Sequence, residues 1–306
     1  MWGYVNYIDE ARAVEIRLRV NKPLIVTGME REYIFSGDNL ERYIVSARDI
    51  AYVIDQVSGY SLYAFGEQLR QGFITINGGH RVGFTGRAVN DTGKITTIKN
   101  ITYVNIRIAH QVKECSNIVL PFLYCGQKLL NTLIVSPPGC GKTTLLRDLI
   151  RNVSDGNNTF EGMNVGVVDE RSEIGACYLG IPQNDIGMRT DILDGCSKAE
   201  GMVMLLRGMN PKVIAVDEIG DKEDIDAICH VLNSGCTILA TAHGDSMEEV
   251  RMRPFLRRMI EKRVFERYIL LGKSGEIGVI KNIFDERGND IYSRLLLDAN
   301  CSVQPA

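Results

Sequence analysis

A chain of 306 residues is longer than one compact core usually fills, so two domains of ordinary size are expected. With 45% hydrophobic and 24% charged residues and a formal net charge of -3, the composition is that of a globular protein, without the excess positive charge that obligatory nucleic-acid binding brings. Eight cysteines with no CxxC pair, one of them inside a phosphate-loop candidate, point to reduced thiols in a cytosolic compartment rather than to disulfides or a zinc knuckle. No apolar run approaches the ~20 residues of a bilayer-spanning helix, and the opening MWGYVNYIDEARAVE carries acids where a signal peptide needs an apolar core. Membrane association is therefore expected to be peripheral, through partners.

Residues 1–112 are expected to form a smaller α+β domain. In VEIRLRV, Val14, Ile16, Leu18 and Val20 alternate with Glu15, Arg17 and Arg19 at the period of a half-buried strand, broken by Asn21-Lys22-Pro23. Ser46 is placed to cap a helix carrying Ile50, Val53, Ile54 and Val57 at 3–4 spacing before Gly59, and Leu62, Phe65 and Leu69 suggest a second helix stopping at Gly72. Strand-like pieces follow, divided by turns at Asn77-Gly78-Gly79 and Asn90-Asp91-Thr92-Gly93 and ending in YVNIRIA.

Residues 113–306 read differently, as apolar strands alternating with helices, the signature of an α/β domain with a mainly parallel sheet. The expected strands are TLIVS (132–136), VGVVD (165–169), KVIAVD (212–217) and TILATA (237–242). Ligands of such sheets sit at the carboxyl ends of strands, and the polar motifs fall there.

SPPGCGKTT, from Ser136 to Thr144, follows the GxxxxGK[ST] pattern except that Ser136 replaces the opening glycine. Gly139 and Gly141 let backbone N–H groups turn toward phosphate oxygens, with Pro137, Pro138, Cys140 and Thr144 completing the loop. Lys142 reaches the β- and γ-phosphates, and Thr143 offers a hydroxyl to Mg²⁺. Leu145, Leu146, Leu149, Ile150 and Val153 follow at helical spacing, so the strand–loop–helix context is present. In KVIAVDEIG, Asp217 is placed to hold Mg²⁺ and Glu218 to orient and deprotonate water. TILATAHG delivers His243 to a strand end, where it contacts a γ-phosphate, relays its presence, or is structural. VVDERSEI sets Asp169, Glu170 and Glu173 after another strand, as site carboxylates or as the N-cap cluster of a following helix. No arginine of this domain is evident beside the phosphate loop.

The order phosphate loop, acidic box, Walker B and histidine box resembles the type II and type IV secretion and pilus-assembly ATPases, a RecA-like family. LLRGMNPKVIAVDEIGDKEDI, SGCTILATAHGDS and NVGVVDERSEI carry that resemblance, with Glu173 at the last acidic position of the aspartate box. GEQLRQGFITINGGHRVGFTGRAV, NIRIA and NTLIVSPPGCGKTTLLRDL resemble its sporulation branch in spore-forming Firmicutes, over nearly the whole chain. The resemblance implies a RecA-like P-loop motor domain and a mother-cell ATPase using ATP and Mg²⁺. It also implies a homo-oligomer, a hexameric ring that can depend on nucleotide, energising membrane-embedded sporulation channel proteins between mother cell and forespore. In the family, arginines from the amino-terminal domain complete the site; Arg81, Arg87 and Arg107 lie in the segments that resemble those donors. Two departures stand out: many secretion ATPases have glycine where Asp217 stands, and their four-cysteine zinc subdomain is absent here.

The run RMRPFLRRMIEKRVFER (251–267) has seven basic residues against Glu261 and Glu266, with only Phe255 and Phe265 as aromatics. Aromatics that sparse make no stacking platform, so subunit contact ranks above nucleic acid. A nucleic-acid-directed P-loop ATPase carrying an Arg-x-x-x-His module is the main alternative. None of His80, His110, His230 and His243 lies four residues after an arginine. A nucleotide-gated scaffold with little turnover is the third reading, opposed by Lys142, Thr143, Asp217 and Glu218.

Overall fold

The computed structural model describes residues 13–29, 31–35, 42–58, 72–91, 94–274 and 276–293. The chain divides between His110 and Gln111 into two compact units.

The amino-terminal unit is an antiparallel sheet with one helix. Its strands are β1 (Ala13–Arg19), β2 (Ile25–Gly28), β3 (Glu32–Ile34), β4 (Phe73–Thr75), β5 (Arg81–Asp91) and β6 (Lys94–Arg107), arranged β3-β2-β1-β6-β5-β4. The inward residues of β1 depart from simple alternation: a register irregularity between Ala13 and Glu15 buries Ala13 and leaves Val14 37% exposed, while Leu18 enters the core as expected. Helix α1 (Ala47–Ser58) starts where Ser46 caps it. The Asp49 amide N–H donates to the Ser46 hydroxyl at 3.3 Å, and the Ser46 N–H donates back to the Asp49 carboxylate at 2.8 Å, a reciprocal box that satisfies two donors at the helix start. Ile50 of α1 joins Leu18, Ile74, Val82, Phe84 and Val104 in the core. The turn before β5 uses Gly78 and Gly79 at φ 85° and 76°, a conformation that only glycine adopts without cost. The helix expected around Leu62 to Leu69 lies outside the described residues.

The second unit opens with a short hairpin, β7 (Tyr124–Cys125) and β8 (Lys128–Leu129), before the main sheet. Then come β9 (Thr132–Ser136), α2 (Lys142–Asp155), β10 (Val165–Asp169), β11 (Thr190–Asp194), α3 (Lys198–Gly208), β12 (Val213–Val216), α4 (Lys222–Asn233), β13 (Thr237–His243), α5 (Met247–Met252), α6 (Pro254–Glu261), β14 (Arg267–Ser274) and β15 (Glu276–Asp285). Seven strands form one sheet ordered β11-β10-β12-β13-β9-β14-β15, parallel except for β15 at the edge.

Why the strands read as continuous apolar runs is visible in β12: Ile214 and Val216 pack with α3 to α6, while Val213 and Ala215 pack with α2 on the opposite face. The four strands expected from sequence are β9, β10, β12 and β13. Three others were not expected: β11, which begins at Thr190, ends at Asp194 and is interrupted by Asp191, and the pair β14–β15, whose first strand starts at the last residue of the basic run with no turn signal before it. That run supplies the end of α5 and all of α6, helices whose Val250, Leu256 and Met259 are buried in the core and whose Arg251, Arg257 and Arg258 are exposed. Among the described residues no helix is long and apolar enough to cross a membrane.

Candidate active site

The ends of β9, β12 and β13 lie side by side, because β13 pairs in parallel with β9 on one side and β12 on the other. Beyond β9, the segment Pro137 to Cys140 wraps into the start of α2. Gly139 (φ 72°) and Gly141 (φ 85°) occupy the left-handed region, and Gly141 caps α2 without a side-chain hydrogen bond. The first N–H groups of α2 are thus left for an anion, where the helix dipole also favours negative charge. Cys140 is fully buried against the loop, and Ser136 donates its hydroxyl to the Pro137 carbonyl at 2.9 Å. Thr144 follows in the first turn, its carbonyl accepting the Cys115 thiol.

Lys142 and Thr143 meet the two carboxylates that follow β12. The Thr143 hydroxyl donates to Asp217 Oδ2 at 2.6 Å, and the Lys142 ammonium, almost entirely buried, donates to Glu218 Oε1 at 2.6 Å. His243 closes β13, and its Nε2 lies 2.8 Å from the same Glu218 oxygen, while its Nδ1 is buried without a hydrogen-bond partner among the described residues. The histidine therefore engages the site through Glu218.

Two residues join this cluster that sequence reasoning did not anticipate. Thr241, fully buried on β13, donates its hydroxyl to Asp217 Oδ1 and accepts the Glu218 backbone N–H at 2.9 Å, so one hydroxyl aligns both acidic residues. Only its position two residues before His243 could have signalled it, since alternate strand residues share a face. Arg171 donates to Glu218 Oε2 at 2.7 Å, correcting the expectation that no arginine of this domain sits beside the loop. It reaches from the segment after β10, which the sheet order places next to β12.

Glu218 holds this position at φ 56°, a left-handed conformation that costs a residue with a side chain about a kcal/mol or more. Burial pushes its carboxyl up, but the hydrogen bond and charge of Lys142, with the charges of His243 and Arg171, outweigh burial and hold it below the usual glutamate value.

The acidic segment after β10 is a capped loop, and the helix that Asp169 and Glu170 would have capped is not there. The Asp169 carboxylate accepts the N–H groups of Glu173, Ile174 and Gly175 at 2.8, 2.9 and 2.8 Å. Burial pushes its pKa up to about 6 against those three bonds, helped by Asp194, its cross-strand partner. Arg147 of α2, itself buried, donates to the carbonyls of Glu173 and Ile174 from the other side. Glu173 is therefore held half-buried by its backbone, and Glu170 pairs with Lys198 at 2.8 Å.

Arg81, Arg87 and Arg107 stand on β5 and β6 of the amino-terminal unit. Arg81 and Arg107 are directly opposite each other across the two strands, Arg81 lies over the Phe73 ring at 4.8 Å, and Arg87 opposes Lys99. Like charges in such register cost stability. On the other side of β6, Arg107 faces Glu15 of β1.

The profile of the family described as "Sporulation stage III, protein AA" matches residues 5–291. Stage III sporulation protein AA of Bacillus subtilis (strain 168) is 42% identical over 275 residues, covering 90% of this chain and 87% of its own. The chain belongs to the sporulation stage III protein AA family. Among solved structures, the ATPase DotB of Legionella pneumophila aligns with a TM-score of 0.59 at 18% identity, over 87% of this chain and 74% of DotB. The pilus retraction motor PilT, solved with bound ADP, aligns with a TM-score of 0.62 at 15% identity, over 97% of this chain and 85% of PilT. At these identities the likeness concerns the fold, which is the RecA-like α/β fold preceded by an antiparallel sheet.

Replacing Asp169 with alanine strips the acceptor from three buried N–H groups and should destabilise the chain by about 1–3 kcal/mol or more. Urea unfolding of the two proteins measures this directly, and equal midpoints would show that the loop does not depend on the carboxylate.

Proposed function

We propose that this chain hydrolyses Mg-ATP to ADP and phosphate and that the cycle powers a secretion-like channel complex between mother cell and forespore. The observation that carries the reading is the convergence of Lys142, Thr143, Asp217 and Glu218 at adjoining strand ends, beside the open start of α2. The family's sporulation name supports the setting, and the printed descriptions of DotB as an ATPase and PilT as a motor support the chemistry.

Pro137, Pro138, Gly139, Cys140, Gly141 and Thr144 form the phosphate cradle. Lys142 exchanges Glu218 for the β- and γ-phosphates, one anionic partner for another. The hydroxyl of Thr143 and the carboxylate of Asp217 are the hard oxygen donors that Mg²⁺ takes, with phosphate oxygens and water as its other ligands. Bound there, the ion would neutralise charge on the phosphates. Glu218, released from Lys142, orients a water and accepts its proton as the oxygen bonds to the γ-phosphorus and the bond to the ADP oxygen breaks. His243 steadies Glu218, and Glu173 belongs to the wall of the same site.

Residues 113–306 act as the motor and residues 1–112 as the part it moves. Arg107, with Arg81 and Arg87, is the source of the remaining positive charge, supplied within a closed, hexameric ring on the cytoplasmic side of the mother-cell membrane.

Lys142→Ala should abolish ATP turnover, because it removes the cation that stabilises charge on the transferring phosphoryl group. A coupled phosphate-release assay decides it, and turnover at the wild-type rate would remove the loop from the chemistry. The ring has a separate test in a dilution series read by activity and light scattering. Specific activity should rise with protein concentration, and Arg107→Ala should lower turnover by ~10³-fold or more while ATP still binds. Concentration-independent activity from a monomer would contradict the ring.

A further inference from the structure

Glu218 is held by three nitrogen-bearing side chains, and they do not hold it alike. Lys142 and His243 share Oε1, whereas Oε2 receives the Arg171 guanidinium. The three come from different elements: Lys142 from the start of α2, His243 from the end of β13, and Arg171 from the loop after β10. Asp217 is the neighbouring anion, tied to Thr143 and Thr241.

We propose that Arg171 is a positioning residue for Glu218, fixing the Oε2 edge of the carboxylate while Lys142 is given up to phosphates, so that the side of Oε1 that Lys142 vacates faces water while His243 keeps the other. This rests on the reading of Glu218 as the base. Lys142 is the lysine of the loop and reaches Glu218 from the first residue of α2, where phosphates would bind, so its bond to Glu218 is the one that nucleotide would compete for. Once that bond is gone His243 alone remains on Oε1, and a carboxylate held through one oxygen still turns about its last torsion unless its far edge is also kept. Arg171 does so from a loop whose next residues, Glu173, Ile174 and Gly175, are tied by their N–H groups to Asp169. Its side chain is 66% exposed, so the pair adds little to folding stability. An arginine held on the far edge of a carboxylate in a left-handed backbone is better explained by orientation than by stability.

The test compares the full-length wild type with Arg171→Ala and Arg171→Lys. Two quantities are read, single-turnover hydrolysis and affinity for ATP, and Arg171→Ala is also placed in the Glu218→Gln background. Arg171→Ala should lower kcat by about ten- to hundredfold through misorientation alone. ATP affinity and melting temperature should stay at wild-type values. Arg171→Lys should bring kcat back toward wild type, and with Glu218→Gln already in place Arg171→Ala should lower it no further. An equal loss of turnover in both backgrounds would overturn the proposal, as would a joint fall of ATP affinity, kcat and melting temperature. A wild-type chain that hydrolyses nothing would strike the catalytic reading instead, and the Glu218 carboxyl carbon-13 resonance at one fixed pH, moved by Arg171→Ala or not, would still decide whether Arg171 holds Glu218.

Discussion

The pairing of β12 with β13 sets Val216 opposite Ala240, and every contact of the site follows from that register. One residue further on, Asp217 comes opposite Thr241, whose buried hydroxyl ties the carboxylate on one side and the Glu218 amide on the other. Side chains along a strand alternate between faces, so a slip of one residue would aim Thr241 away and leave Asp217 and Glu218 without a common anchor. The burial of both faces of these strands is what forbids the slip, because it would also drive apolar side chains out of the two cores that α2 and α3 to α6 complete.

From this anchor the charges arrange themselves. Asp217 takes Thr143 and Glu218 takes Lys142, so the two acids after β12 clasp the first two residues of α2. The result is a self-complementary site in which a buried ammonium is paired rather than stranded, as burial of a charge requires. On the proposed reading, phosphates entering at the helix start take over the lysine, while Glu218 keeps its contacts with Arg171 and His243.

The parts of this site that were legible in the sequence are those built from neighbours along the chain. Gly141-Lys142-Thr143 after an apolar strand, and Asp217-Glu218 after another, each announce their place by local pattern. So do the capping of α1 by Ser46 and the strands β9, β10, β12 and β13, because continuous apolar runs bounded by polar residues have one reading in an α/β chain. Thr241 and Arg171 were not legible, since each acts across strands: a threonine inside TILATA looks like an ordinary β residue, and an arginine inside VVDERSEI looks like a solvated one. Asp169 was half legible, its tie to backbone N–H groups foreseen but assigned to a helix instead of a loop. The strand β11 escaped because polar residues interrupt it, and β14 and β15 because β14 grows out of the basic run with no turn signal before it. The outward turn of Val14 came from a register irregularity that alternation alone does not reveal.

The central claim is that Glu218 and nucleotide phosphates compete for Lys142 and that Glu218 then serves as the base. It is tested most directly by measuring ATP affinity and single-turnover hydrolysis side by side for the wild-type chain and Glu218→Gln. With the competing charge removed, Glu218→Gln is expected to bind ATP at least as tightly as the wild type while hydrolysing it ~10²–10⁴-fold more slowly. Weaker ATP binding by Glu218→Gln, or hydrolysis at the wild-type rate, would contradict it.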